Sequence, residues 1–298
     1  MQDQLKIIAN PTPIQAQLAN FMKIIEPVYL TIDKKIRFRC NYREEKVSDV
    51  VILASMLLKI DLRDGSETHF HQMMLASGIQ LPERSRYNRC CRELIPIERY
   101  IRFRLLMQYQ RPALYEIIDS APMTLVSARR SQEAKVLQLI ANKGFNATKR
   151  LYFYGFKLHV VIDDQGFPLN WEVTAASTDD RKVAEELLLT VPSSQVLADG
   201  GYLSKPMKER LFKLYHINLW TPLRKNMANH KAVNSNFLKN LRRHIETFFN
   251  NLNTVGHFEH PGIRTLSGLN ARLESMFLWM TINVHQQILA GKSGLSIT

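Results

Sequence analysis

The chain has 298 residues, a length that predicts about two domains, and its 45% hydrophobic content can fill buried cores, which excludes a disordered chain. Lys and Arg number 40 against 27 acids, a net charge of +13 that points to a polyanionic partner, nucleic acid first. Three cysteines (Cys40, Cys90, Cys91) without a CxxC spacing exclude a disulfide framework or zinc site and suit a reducing cytoplasm, while no signal-peptide core and no unbroken apolar run of about 18 residues predict no membrane span.

The first part has helical periodicity. Residues 14–25 read as a helix, and 47–60 as a nearly all-apolar one, expected at the centre of its domain. A third spans 66–76, closed by Gly78 as a C-cap. Pro82 then opens a helix over 83–94 in PERSRYNRCCREL. There Tyr87, Cys91 and Leu94 fall at i, i+4 and i+7, a predicted core face. Arg84 and Arg86 lie near its start, and Ser85, Asn88, Arg89 and Arg92 lie on the other side. Helix, glycine turn and arginine-rich helix outline a helix-turn-helix reader, with arginines suited to bidentate contacts with phosphate or guanine. The alternative is an ordinary helical domain with a solvated basic face.

Near 110–113 the texture changes to alternating strands and helices. Residues 114–119, LYEIID, form a short strand ending in an acid. Residues 152–162 alternate, with Phe156, Leu158, Val160 and Ile162 on one face and Lys157, His159 and Val161 on the other. DDQG at 163–166 is a hairpin turn leading into Phe167, Leu169, Trp171 and Val173. Thr178 is the expected N-cap of a helix that carries Asp179 and Asp180 in its first turn and ends near Leu189. A strand at 196–198 ends at Asp199, an amphipathic helix covers 206–215, and a last strand covers 217–221. Three linked strands followed by helix, strand, helix, strand, helix predict an α/β (α+β) fold. Its mixed sheet is flanked by helices in an order analogous to the ribonuclease-H-like fold. The expected domains are 1–112, an all-α DNA-binding domain, and 113–298, the catalytic domain with a C-terminal helix near 266–289.

Two strands thus end in an aspartate, Asp119 and Asp199. A buried strand end is a costly place for a lone carboxylate, so a hard cation such as Mg²⁺ or Mn²⁺ is expected between them. Each alone could be a turn residue, in Asp-Ser-Ala-Pro and Asp-Gly-Gly. A third acid lies in NSNFLKNLRRHIETFFNNL, where Leu238, Leu241, Ile245, Phe248 and Leu252 form one apolar stripe with Glu246 at its margin. Arg242 sits four residues before Glu246, where a plain helix salt bridge is the alternative. From 210 to 245 there is no Asp or Glu, only basic charge: Arg210, Lys213, Arg224, Lys225, Lys231, Lys239, Arg242 and Arg243. A basic tract leading to a carboxylate suits a phosphate-lined groove meeting a metal ligand. Three carboxylates can hold two divalent ions about 3.5–4 Å apart, the arrangement that activates both the nucleophile and the leaving oxygen of a phosphodiester. No Walker loop or dinucleotide fingerprint competes with this reading.

Taken in order, EIIDSAPM, KGFNATKRLYFYGFKLHVVID, VLADGGYL and LRRHIETFF resemble the DDE transposases of bacterial insertion sequences, with the insertion sequence 982 group the nearest match. The similarity extends to LPERSRYNRCCREL before this region and GIRTLSGLNARLE after it. It implies a ribonuclease-H-like catalytic domain, two divalent ions and DNA cutting and joining at terminal inverted repeats, by a cytoplasmic, nucleoid-associated bacterial protein. The triad falls on Asp119, Asp199 and Glu246, the accompanying arginine on Arg242, and the tyrosine after the second aspartate on Tyr202. Lys157 and His159 lie in the family's strand motif. Core packing is the alternative for Tyr202, and a satisfied strand histidine for His159. Phosphate contacts are expected from Arg242, Arg243 and the Arg224–Lys231 region, and a homodimer because two DNA ends must meet. Relatives often carry lysine where this chain has Gly200. Some carry tyrosine and lysine at the positions of Lys239 and Asn253. The two glycines after Asp199 are expected to keep the backbone slim beside metal or DNA. A nuclease that cuts without joining and a non-catalytic DNA-binding protein are the alternative functions.

Overall fold

A computed structural model describes residues 12–33, 46–109, 111–146, 150–223 and 236–297, with the side chains of residues 128 and 236–242 outside the description. The described residues group into two units. One holds the residues up to Leu105 together with Asn270–Trp279, the other Leu106–Leu269 together with Met280 onward.

The first unit is helical. Helix α1, Pro13–Leu30, starts in a capping box between Thr12 and Gln15. It runs five residues past the expected end because Pro27 lies on its exposed side, away from the buried Leu18, Phe21, Ile25 and Tyr29. Helix α2, Asp49–Asp61, is buried nearly all round, as an apolar sequence without a polar face requires. Helix α3, Glu67–Ala76, has Ser66 as its N-cap, and Gly78 at φ +74 closes it. Helix α4, Arg84–Glu93, buries Tyr87 and Cys90 and is followed by buried Leu94; Cys91 is half-buried, with its thiol against the Tyr87 hydroxyl. Its N-cap is Glu83, whose carboxylate accepts the Ser85 and Arg86 amides.

Helix α5, Ile95–Tyr109, was not resolved by periodicity as an element of its own. Its stripe Ile97, Ile101, Leu105 is buried, but so are Glu98 and Arg102, which blurs the contrast between faces. Arg102 and Arg99 donate to the fully buried carboxylate of Glu274 at 2.6 and 3.2 Å. A buried charge needs such partners, since leaving it bare costs several kcal/mol, on the order of 3–5 when one partner is removed.

The second unit carries a six-stranded mixed sheet among the described residues. Its strands are β1 Glu116–Ser127, β2 Asn142–Asn146, β3 Leu151–Asp163, β4 Pro168–Ala175, β5 Gln195–Ala198 and β6 Asn218–Trp220. The order is β2-β3-β1-β5-β6, with β4 also on β3. The pairings of β1 with β3 and of β3 with β2 and β4 are antiparallel; β1–β5 and β5–β6 are parallel. Without β2, the order is that of a ribonuclease-H-like sheet, a mixed α/β fold flanked by helices. Strand β2 takes the Leu151–Gly155 end of β3, and β4 takes the Phe156–Ile162 end, so the two share one edge. The hairpin between β3 and β4 is fixed by Asp163, whose Oδ1 accepts the Gln165 and Phe167 amides, and by Gly166 at φ +97.

Strand β1 departs from expectation. It does not stop at Asp119 but continues to Ser127 through Pro122. Parallel pairing with β5 ends at Ile118↔Ala198, so beyond it β1 has a partner on one side only. The Thr124 amide donates to the Glu259 carbonyl rather than to β3. By the two-residue alternation, the missing N–H of Pro122 falls on that same open side, where a sheet tolerates proline.

Helices α6, Asp180–Leu188, and α7, Lys205–Tyr215, cover one face of the sheet. Their Val183, Leu187, Met207 and Leu211 pack with Ile118, Val161, Ala198 and Tyr202. The N-cap of α6 is Asp179, not Thr178. Helix α8, Asn236–Gly256, packs against β1 and β5 through the buried Ile245, Phe248 and Leu252, none of them in that cluster. Helix α9, Leu266–Leu289, supplies residues to both units. No helix among the described residues is long and apolar enough to cross a membrane.

Candidate active site

Asp119 and Asp199 follow the last paired residues of two adjacent parallel strands, Ile118 on β1 and Ala198 on β5. Side chains alternate along a strand, so Asp119, within β1, lies on the face opposite Ile118, while Asp199 lies just past the end of β5. Neighbouring strands run about 4.8 Å apart, which keeps the two residues close where the pairing ends. Both are half-buried. Asp119 Oδ1 accepts the Ser120 amide at 2.8 Å, and Asp199 Oδ1 accepts the Gly201 amide at 2.6 Å. Asp199 is thereby the N-cap of a short 3₁₀ turn over Gly200–Tyr202.

Glu246 lies one residue past Ile245 on α8, the helix that packs on those same two strands, and its side chain is exposed. Arg242 is one turn earlier in α8, with its side chain outside the described residues; Arg243 is exposed. Arg224, Lys225 and Lys231 lie outside the described residues, and so do the side chains of Leu238 and Leu241 from the predicted stripe. Arg210, at the head of the acid-free tract, is paired with Glu185 at 2.7 Å. On α4, the four arginines Arg84, Arg86, Arg89 and Arg92 are all exposed.

Tyr202 packs in the core, the alternative weighed for it. Its ring is fully buried in the cluster under α6 and α7. Its hydroxyl has no hydrogen-bond partner, with Ser120 close by but outside hydrogen-bond geometry. Burial first, and then the charges of Asp119, Asp180 and Asp199, hold its hydroxyl proton far above the usual tyrosine range. The hydroxyl therefore stays a donor and lies within the field of all three carboxylates.

Asp180 is the residue that sequence reasoning passed over, having assigned it to the first turn of a helix. Lys157 Nζ on β3 sits 2.5 Å from its Oδ1 and also donates to the Thr178 carbonyl. The available signal was the doubled acid, Asp179-Asp180. A helix start takes one side-chain cap, here Asp179, which leaves the second carboxylate for another partner.

His159 is completely buried, with Nε2 2.9 Å from Thr174 Oγ1 and Nδ1 3.9 Å from Asp180 Oδ1. Burial pulls its pKa down to about 4 against the opposing pull of Asp180, so the ring is neutral at pH 7. It is a buried strand histidine that flanks the site.

Half-buried oxygen donors on two adjacent strands, where the β1–β5 pairing ends, fit a hard divalent cation, which keeps waters for the remaining positions. Among the described residues, no three His, Cys, Asp or Glu side chains converge as a ready-made metal cage. Glu246, exposed on α8, the helix that packs on these strands, is not gathered with Asp119 and Asp199 into such a cage.

The sequence model of the family described as Transposase DDE domain matches residues 111–266, just over half of the chain. The match begins ahead of β1 and ends at the first residue of α9, so it takes in Asp119, Asp199 and Glu246. No curated protein matches the chain.

Proposed function

This chain belongs to the transposase DDE domain family, and on that premise we propose that it cleaves DNA at insertion-sequence ends and joins the freed 3′-hydroxyl to target DNA. The observation that supports the reading is the pair Asp119 and Asp199 on adjacent strands where the β1–β5 pairing ends, with α8, the helix that bears Glu246, packed on the same strands. Asp119 and Asp199 would jointly hold two Mg²⁺ or Mn²⁺ ions, with Glu246 as a ligand completing the coordination of the second ion. Such ions supply Lewis-acid activation of the attacking oxygen and stabilise the leaving one.

The remaining roles belong to the chain itself. Arg242, Arg243 and the Arg224–Lys231 region grip phosphates, orienting the scissile bond for in-line attack. Arg84, Arg86, Arg89 and Arg92 on α4 read or clamp the end DNA, which makes the helical part before about residue 112 the DNA-binding domain. Two copies act together, since two ends must be joined. The short motifs around the triad favour the insertion sequence 982 group, and the protein works on DNA in the bacterial cytoplasm.

Labelled end DNA incubated with the purified protein and Mg²⁺ tests this. Cleaved ends together with joined products are expected. Cleavage with no joined product would mean a nuclease on the same fold, and no cleavage by the active preparation would leave a DNA-binding protein. An Asp199→Ala protein that cleaves at the wild-type rate would remove the catalytic assignment.

A further inference from the structure

We infer that Lys157 and Asp180 form a charge-setting pair behind Asp119 and Asp199 that determines how strongly those carboxylates attract a divalent cation. The inference rests on the proposed function and adds two positioning residues to it. Asp180 opens α6, and Lys157 lies on β3, on the face of the sheet opposite Asp119.

Three observations bring Asp180 to the site. A Cβ on Gly201 would lie 2.8 Å from Asp199 Oδ1 and 3.8 Å from Asp180 Oδ2, so these two carboxylates face each other across one glycine α-carbon. At that spacing, about 7 Å at most, each feels the other's charge. Second, the Tyr202 hydroxyl is fully buried without a hydrogen-bond partner and lies in the field of Asp119, Asp180 and Asp199 together. A buried hydroxyl without a full hydrogen bond is rare, and this one feels the charge of all three acids. Third, the Lys157 and Asp180 side chains are mostly buried, at 18% and 25% exposure, so their charges are only partly screened by water.

The other charged or titratable groups around Asp180 do not set the balance. His159 is neutral at pH 7, and Arg181 is paired with Asp179 at the surface. Lys157 is thus the cation that offsets Asp180. With the pair intact, a cation arriving at Asp119 and Asp199 meets their two charges over a neutral background. Without Asp180, the bare ammonium of Lys157 repels the incoming cation; without Lys157, the bare carboxylate of Asp180 attracts it.

The signs separate this role from a plain structural bridge. Mg²⁺ binding to the full-length chain, followed by titration calorimetry at low salt with circular dichroism confirming the fold, is the measurement. Asp180→Asn is expected to weaken Mg²⁺ binding about tenfold, Lys157→Met to strengthen it a few-fold, and the double variant to return near wild type. Should Lys157→Met not fold, Lys157→Gln makes the same charge change. Asp199→Asn is the control. If it leaves Mg²⁺ binding unchanged, the proposed function falls and this inference with it. If Asp199→Asn weakens binding while Asp180→Asn does not, or both single charge removals shift binding in the same direction, the inference alone is overturned.

Discussion

The backbone amide of Gly201 donates to the carboxylate of Asp199 at 2.6 Å, so the residue two places on holds the acid in position. The same closeness makes Gly201 the constrained glycine of the pair, since a Cβ there would come 2.8 Å from that oxygen. At Gly200 the nearest atom to a Cβ is Pro222 Cγ, at 4.0 Å. A slim backbone is therefore required at one of the two glycines, not both. Gly201→Ala should cost about 1–3 kcal/mol of stability or displace Asp199 and slow cleavage, while Gly200→Lys should stay within about 0.5 kcal/mol. Urea denaturation and end-cleavage assays on both variants check this; a neutral Gly201→Ala would contradict it.

Tyr202 carries a hydroxyl that finds no partner in the core. Removing such a group relieves an unmet hydrogen bond, so Tyr202→Phe should be neutral to about 1 kcal/mol more stable. Cleavage by the same variant should fall, because the donor beside Asp119 and Asp199 is gone. A variant that loses more than about 2 kcal/mol, against the usual cost of an unmade bond, would show the hydroxyl to be structurally engaged.

Stability should depend on pH through two facing acids. Glu116 and Asp163 are partners across β1 and β3, both are fully buried, and burial raises them to about 8 and about 7. Glu116 Oε2 and Asp163 Oδ2 have no hydrogen-bond partner. A raised folded-state pKa contributes stability that is complete below the unfolded carboxyl values, near 4, and is lost as pH rises through about 7 and 8. The melting temperature should therefore rise on acidification from pH 8.5 to 6. Glu116→Gln should flatten that slope; an equal slope in both proteins would assign the effect elsewhere.

The arginine face of α4 makes a prediction in salt. Arg89→Ala should weaken binding to end DNA, and if it meets a phosphate, lower the slope of log affinity against log salt by about one. Unchanged affinity across salt concentrations would exclude Arg89 from the interface.

Much of the second unit was legible because its signals are local. Alternation over 152–162, the DDQG turn and the stripe through Ile245, Phe248 and Leu252 each follow from a period or a turn rule, and each has its counterpart in the structure. Asp199 was legible as a strand end for the same reason. Asp119 was placed correctly on its strand, but the strand's continuation was not seen. Pro122 suggests a stop, and only the early end of β5 leaves room for it on an open edge. Strand β2 escaped notice because it is five residues long and includes a glycine. Asp180 escaped because its meaning depends on Lys157, twenty-three residues earlier and on another element.

Helix α9 gives the chain an unusual schedule. Ten of its residues, Asn270–Trp279, belong with the first unit, where the Glu274 carboxylate accepts from Arg99 and Arg102, and the helix then continues into the second. As the chain is synthesised, the first hundred residues emerge early but lack a buried anion for their two arginines until the last thirty have left the ribosome. Both units wait for this helix. A product truncated anywhere before this helix leaves both units unfinished, so premature termination is expected to silence the protein outright rather than release one folded unit.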